Sequence, residues 1–502
     1  MTKPDHILIV GGGTAGWMAA NLMARRWLDR GIRISLVESP DIGIIGVGEG
    51  STPQLKAFLD KMGIDESDWM AKCNATYKVG ISFVNWSSKP GFERYFHPFP
   101  AQADRDNYRS FVYHCLLRRQ GLDVDAHPDR FFLPAYLAAR QLAPKAAENF
   151  PFEVLYGYHF DSQLLGEYLR DHAVSLGVEH LQGNVIEVRQ NDAGDLAAVV
   201  LDDGRELDAD FFVDSTGFRS LLLQQQLEVP FVSFGENLFN DAAVVLPSPQ
   251  GEEINSQTIS TAMKHGWAWD IPLTNRTGNG YVYSSGYCSA DDAETELREK
   301  TGLLDSDVEA RHLKMRVGQV AKHWHRNCIA VGLSQGFIEP LEATALHIVQ
   351  ETVESFISNF EKGDFTPRNQ DRFNQLVSQR FEGVRDYIVC HYRANSRNDT
   401  DYWRANAVNE NLSDSLKGVL YTWLEKGDLS EEIRRQDIGR YYNTISWHCL
   451  LAGYGVFPDR QSLRPVSEQE RGYDLAKIDE FIRRCALNFD KHSTQLANLG
   501  AA

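Results

Sequence analysis

No stretch of the 502-residue chain approaches the ~20 uninterrupted apolar residues of a membrane-crossing helix, so no membrane span is expected. The basic and apolar segments of an export signal are also missing, because the first strand-like run begins almost at once. Seven cysteines, at 73, 115, 288, 328, 390, 449 and 485, are odd in number and widely spread. None forms a CxxC pair and no His/Cys cluster has zinc spacing, so no metal site is expected and a reducing, cytoplasmic setting is. Basic residues are outnumbered, 51 against 69 acidic ones, and the net charge of −18 gives a surface that repels nucleic acid and anionic membranes. Internal repeats, low-complexity tracts and flexible linkers are lacking as well.

What is present begins at residue 6. In "HILIVGGGTAGW", 6–17, an apolar run meets a glycine cluster; helical spacing follows over 15–30, then "IRISLVE" at 32–38, which together read as a βαβ unit. Gly11, Gly13 and Gly16 fall at the bend. There a tight turn, close approach of backbone to a pyrophosphate, and helix–strand packing each favour a residue without Cβ. Thr14 and Ala15 lie where the turn enters the helix, whose N-terminus faces the phosphates. Glu38, 22 positions after Gly16, closes the second strand where a carboxylate accepts hydrogen bonds from ribose hydroxyls and disfavours a 2′-phosphate. A glycine-rich turn without a ligand is the bland alternative; the ordered set of strand, glycines, helix, strand and acid points to a dinucleotide.

Two later strands end in the same manner. "GDLAAVVLDDGRELDADFFVDSTGF" has hairpin turns at Gly194 and at Asp203-Gly204 before a buried strand that ends in Asp214-Ser215-Thr216-Gly217. "NCIAVGLSQGF", 327–337, runs into the helical "PLEATALHIVQETVESFI". Glycine-ended strands near 10, 213 and 331 suit one discontinuous site for FAD better than a self-contained NAD domain. No second GxGxxG follows a strand, so electrons are expected from a separate NAD(P)H-dependent flavin reductase, the alternative being an NADPH groove that leaves no motif. From about 350 strands are scarce, and Phe373, Val377, Phe381, Val384 and Ile388 recur at helical spacing as core positions. The expected fold is α/β: an FAD-binding Rossmann-like module of flavin monooxygenase type over 1–350, discontinuous with inserted substrate-site segments, and a mostly helical substrate domain over 351–502 packed on it.

Three stretches exceed a generic flavoprotein. Lys78 lies among apolar and aromatic residues in "TYKVGISFVNW", 76–86, where it is either a snorkelling surface residue or a desolvated amine. Trp267 and Trp269 in "GWAWDIPL", 266–273, are two apart on a strand and share a face, as core packing or as an indole wall. Glu342 in "GFIEPLEATA", 336–345, follows a proline at a helix start, where a carboxylate also suits the macrodipole.

Taken together, GGGTAGW, "YKxxIxFxxW", the WxWxIP pattern over 267–272 and "EPLEAT" resemble the flavin-dependent tryptophan halogenase family. "IGVGEGSTP" at 45–53, "RYFHPF" at 94–99, "HFDSQLL" at 159–165 and "HYRANSRNDTDYWRA" at 391–405 extend the likeness over most of the chain. The resemblance implies an enzyme in which reduced FAD (FADH2), O2 and a halide ion, chloride or bromide, yield hypohalous acid that passes to a separate electron-rich aromatic, an indole or its derivative. By this likeness Trp267, Trp269, Ile271 and Pro272 shield the flavin from organic substrate. Lys78 takes the halogen, either as an ammonium bound to hypohalous acid or as a haloamine, and Glu342 orients the acid or serves the arenium intermediate. His97 and Phe99 sandwich the substrate, with a loop cap and core packing as their bland readings.

The likeness also places halide on the N–H groups of Thr344 and Ala345, where Ala343-Thr344-Ala345 departs from the family's Ser-Thr-Gly and puts halide geometry in doubt through the lost φ freedom at 345. Besides Gly11, Gly13, Thr14, Ala15, Gly16 and Glu38, the FAD would meet Glu49, Ser51, Gly336, Phe337 and Ile338. Over 439–464 the family's substrate-covering loop gives way to an apolar, helix-like run, which suits free indole or a larger indole-like aromatic better than tryptophan. An aromatic hydroxylase and a non-catalytic FAD-binding protein are the competing readings. A homodimer is the default expectation.

Overall fold

The computed structural model describes residues 3–41, 43, 48–467 and 472–499. Residues 45–47 of "IGVGEGSTP" therefore lie outside the described residues. The chain divides into two compact units, one from Met1–Ala75, Phe160–Gly235 and Met315–Glu382, the other from Thr76–His159, Glu236–Lys314 and Gly383–Ala502. The division interleaves the chain instead of falling near 350. The helix Ala345–Lys362 belongs wholly to the first unit.

In the first unit, β1 (His6–Val10) runs parallel to β2 (Arg33–Glu38) on one side and to the strand Phe211–Asp214 on the other. Glu179–Gln182 extends the sheet beyond β2; Cys328–Ala330 extends it beyond Phe211–Asp214, with Trp324–His325 antiparallel at that edge. β1 and Phe211–Asp214 are buried along their whole length, as parallel strands covered on both faces must be, which explains their unbroken apolar text. The crossover between β1 and β2 is α1 (Thr14–Trp27), pinned by Asn21, whose Nδ2 donates to the Leu169 carbonyl at 2.8 Å. Phe356 and Phe360 of the helix Ala345–Lys362 each lie 5.0 Å from the Phe211 ring, so this helix packs its apolar face on the sheet. The expected hairpins form, with Gly194 and Gly204 at φ 84° and 85°, where an L side chain is strained.

The second unit holds a seven-stranded sheet. In order it runs Arg311–Lys314, Ala242–Ser248, Thr277–Tyr283, Gly266–Pro272, Thr258–Ala262, Gly80–Val84 and Arg94–Pro98. All neighbours are antiparallel except Thr258–Ala262 with Gly80–Val84. Beyond residue 345 the described residues contain helices and one short strand, Phe489–Lys491, and Phe373, Val377, Phe381, Val384 and Ile388 are all buried. Among the described residues no helix is long and apolar enough to cross a membrane, and no group of three or more His, Cys, Asp or Glu is placed to hold a metal ion. All seven cysteines are buried free thiols.

Candidate active site

The three glycine-ended strands of the first unit converge. The Val331 N–H donates to the Asp214 carbonyl at 2.9 Å, Ser334 Oγ donates to the Gly217 carbonyl at 3.1 Å, and a Cβ on Gly332 would lie 2.7 Å from that of Ala15. Asp214 itself is structural: its buried carboxylate accepts the N–H groups of Thr216, Leu222 and Leu223 at 2.8–3.0 Å.

The glycines of the turn divide their labour. A Cβ on Gly11 would stand 2.1 Å from the Ser215 carbonyl oxygen, and one on Gly16 2.1 Å from that of Gly11, so both serve close packing within the chain. Gly12, which the fingerprint leaves unassigned, lies against Glu38; its Cβ would meet Oε2 at 1.5 Å. Only Gly13 opens onto free space, and as N-cap of α1 it leaves the first N–H groups without a side-chain cap.

Those groups and the adjoining space fit the pyrophosphate of FAD. Glu38 fits the ribose end, held by His180 Nε2 at 2.7 Å and by Trp17 Nε1 at 3.4 Å. Thr14 Oγ1 donates to the Ser162 carbonyl at 3.2 Å, and Ser162 also hydrogen-bonds Glu49, which brings that residue beside the turn. Burial pushes the half-buried Glu49 carboxyl up to about 7, opposed by the Ser162 bond and aided by the charge of Asp161. Ser51 is buried.

Gly336 and Phe337 form a short strand against Gly318 and Gln319. A Cβ on Gly336 would lie 2.5 Å from the Gly318 carbonyl oxygen, so its missing side chain answers to the chain itself; Ile338 is buried.

After this strand, Glu342 is buried at 4 % exposure, three residues ahead of the helix Ala345–Lys362. Thr344 is the N-cap, with no side-chain cap bond, so the first turn presents N–H donors to an anion. The lost φ freedom at 345 carries no backbone cost. Ala345 is helical, which any L residue tolerates, whereas the left-handed position is Ala343, at φ 56°.

In the second unit, Lys78 is fully buried at the end of the strand Thr76–Lys78, with Nζ 5.5 Å from the Phe99 ring centroid. Phe99 arrives because its N–H donates to the Val79 carbonyl at 3.0 Å. His97 pairs with Ile81 across the ladder, lies 3.0 Å from Ser446 Oγ through Nε2, and faces Tyr387 at 6.1 Å. Gly80 permits this approach, since its Cβ would meet the His97 carbonyl at 2.3 Å. Lys78, His97 and Phe99 thus share one end of the hairpin.

Trp267 and Trp269 are buried neighbours with ring centroids 5.9 Å apart, the shared face that spacing of two predicts. Ile271 and Pro272 complete the strand and are buried. Ser446, Tyr387 and the buried Trp447 were missed by sequence reading. The last two enter through tertiary packing of distant helices, their rings 4.8 Å apart, and no local pattern announces it.

The family model for tryptophan halogenase matches residues 6–468. The chain is 36% identical over 491 residues to tryptophan 6-halogenase SttH of Streptomyces toxytricini, covering 92% of this chain and 91% of that protein. It is 34% identical over 503 residues to tryptophan 7-halogenase RebH of Lentzea aerocolonigenes, covering 92% of each. The crystal structure of SttH superposes with a TM-score of 0.86 at 33% identity over 98% of this chain and 99% of that one. BrvH, a flavin-dependent halogenase from Brevundimonas sp. BAL3, superposes with a TM-score of 0.82 at 29% identity over 99% of each chain. The hydroxylase and non-catalytic readings are not favoured by these relatives. On the fold, the residues gathered in each unit and these matches, the chain belongs to the tryptophan halogenase family and is a flavin-dependent halogenase.

Proposed function

We propose that this enzyme chlorinates or brominates an indole or an indole derivative, with Lys78 taking the halogen from hypohalous acid. The observation that carries the reading is the complete burial of Lys78 beside Phe99, two residues ahead of the hairpin that holds His97. A lysine wholly withdrawn from water beside aromatic faces is suited to passing an electrophile to a ring instead of solvating a surface.

Gly11, Gly13, Thr14, Ala15, Gly16 and Glu38 would hold the adenine half of FAD, and Glu49, Ser51 and Gly336, Phe337 and Ile338 the flavin half. Reduced FAD with O2 supplies the oxidising power that turns halide into hypohalous acid. The uncapped N–H groups of Thr344 and Ala345 bind the halide. Trp267 and Trp269, with Ile271 and Pro272 continuing their strand, keep organic molecules from the flavin while leaving room for a halide. Glu342 orients hypohalous acid and accepts the proton that the halogenated ring releases. His97 and Phe99 stack on the substrate.

A separate NAD(P)H-dependent reductase supplies the reduced flavin in the cytoplasm. The stretch 439–464 supports a small cover over the substrate, because its core is the helix Thr444–Gly453, buried over most of its length. Free indole or a larger indole-like aromatic fits such a cover better than tryptophan does.

The test mixes the enzyme with FAD, a flavin reductase, NADH, O2 and either bromide or chloride, and screens indoles and tryptophan by mass spectrometry. A halogen isotope pattern on an indole is the expected result. An oxygen adduct without halogen overturns the reaction, and tight binding of free tryptophan overturns the preference for free indole or a larger indole-like aromatic.

A further inference from the structure

The strand that carries Lys78 is three residues long and fully buried. So short a ladder with residues 157–159 leaves its position to other bonds. Two buried histidines supply them. His159 Nδ1 lies 3.0 Å from Thr76 Oγ1, whose one hydroxyl proton goes to the Pro272 carbonyl 2.7 Å away. The hydroxyl can then only accept from the ring, so Nδ1 carries the proton. His159 Nε2 lies 3.0 Å from Thr258 Oγ1, which donates to it.

His492, from the far end of the chain, closes on the next residue. Its Nε2 accepts the Tyr77 backbone N–H at 3.1 Å, and its Nδ1 faces the Ile254 carbonyl at 3.1 Å. A backbone N–H only donates and a carbonyl only accepts, so this ring is also the Nδ1–H tautomer and neutral. Burial holds both rings below the usual imidazole range, His492 at about 4, and the charge of Lys78 lowers His159 further.

One histidine thus binds the side chain of Thr76, which projects to the same face as Lys78, and the other binds the backbone between them. Through Thr76 the tie also reaches Pro272, the end of the strand that bears Trp267 and Trp269. Satisfied buried polar networks of this kind select one arrangement where apolar packing accepts several.

We propose that His159 and His492 are positioning residues that clamp the Thr76–Lys78 strand and thereby fix where Lys78 presents the halogen to the aromatic substrate. The proposal rests on the reading of Lys78 as halogen carrier. Neither histidine is asked to touch substrate.

The experiment measures the fraction of hypohalous acid that ends on indole instead of on a small-molecule trap in solution. It compares the parent with His159→Phe, His159→Asn, His492→Phe, His492→Gln and Lys78→Ala, and records a thermal melt for each. The Phe variants are expected to lower that fraction by on the order of 10- to 100-fold, the effect of ångström-scale misplacement. His159→Asn, which returns a donor at the Nδ1 place, and His492→Gln, which returns an acceptor, are expected to recover most of it. Where a Phe variant fails to fold, Thr258→Val, which removes only the outer hydroxyl, decides with an expected severalfold loss. A parental fraction in the folded His159→Phe and His492→Phe variants or in Thr258→Val, with Lys78→Ala inactive on indole, overturns the clamp. Indole halogenation surviving in Lys78→Ala overturns the carrier reading instead.

Discussion

The indole of Trp269 fills the place of a side chain on the neighbouring strand: a Cβ on Gly280, its cross-strand partner, would stand 2.1 Å from Cζ2. Glycine inside a strand is otherwise a weakness, so the indole explains its presence. Gly280→Ala is expected to displace Trp269 and to destabilise by about 1–3 kcal/mol, as overpacking does. A thermal melt reads the stability. If Trp269 shields the flavin, the same variant forms oxygenated or uncoupled product; a parental product profile at a lowered melting temperature limits Trp269 to packing.

Neighbouring glycines of the turn should respond in opposite ways. At φ −68° with nothing within 4 Å of its Cβ, Gly13 accepts alanine without strain. Gly13→Ala is expected to keep stability within about 0.5 kcal/mol and to weaken FAD at least about tenfold. Gly12→Ala collides with Glu38 and is expected to lose stability and FAD together. Flavin fluorescence titration beside thermal melts checks both. Undiminished FAD binding by Gly13→Ala contradicts the pyrophosphate assignment.

What was legible in the chain follows from the range of the forces involved. The unit of β1, α1 and β2, the hairpins at Gly194 and Gly204 and the paired tryptophans are written in periodicity and backbone conformation, which depend on residues close in sequence. The route of the chain between its two units is not, because Cα neighbours such as Thr76 and His159 lie 83 residues apart. His492 illustrates the limit. A lone histidine near the C-terminus carries no local mark of the backbone N–H it accepts from Tyr77. Gly12 was readable in principle, since three successive glycines exceed what the fingerprint requires.

Ala343 is a second place where local text and backbone disagree. Its φ of 56° is costly for a residue with a Cβ. Ala343→Gly is expected to stabilise by about 0.5–1 kcal/mol, the relieved strain exceeding the added freedom of the unfolded chain. Denaturant unfolding checks it, and a destabilised variant contradicts the strain.

Glu49 makes stability depend on pH. Its carboxyl sits at about 7 in the folded chain against an ordinary 4.5, so the folded state keeps a proton that the unfolded state has released. The contribution of this group is fully present below 4.5 and is lost as pH rises through about 7. In FAD-free protein, Glu49→Gln is therefore expected to gain on the parent between these values and to level off above them. Melts of both proteins from acid to mild alkali check the slope. A constant difference contradicts it.

The most direct measurement follows the halogen in Lys78→Ala and Lys78→Met, with indole and a hypohalous acid trap present together. The parent is expected to place halogen on indole, and both variants to lose indole product by at least about a hundredfold while the trap still collects oxidised halide. Variants that halogenate indole at the parental rate would contradict the central claim that Lys78 delivers the halogen.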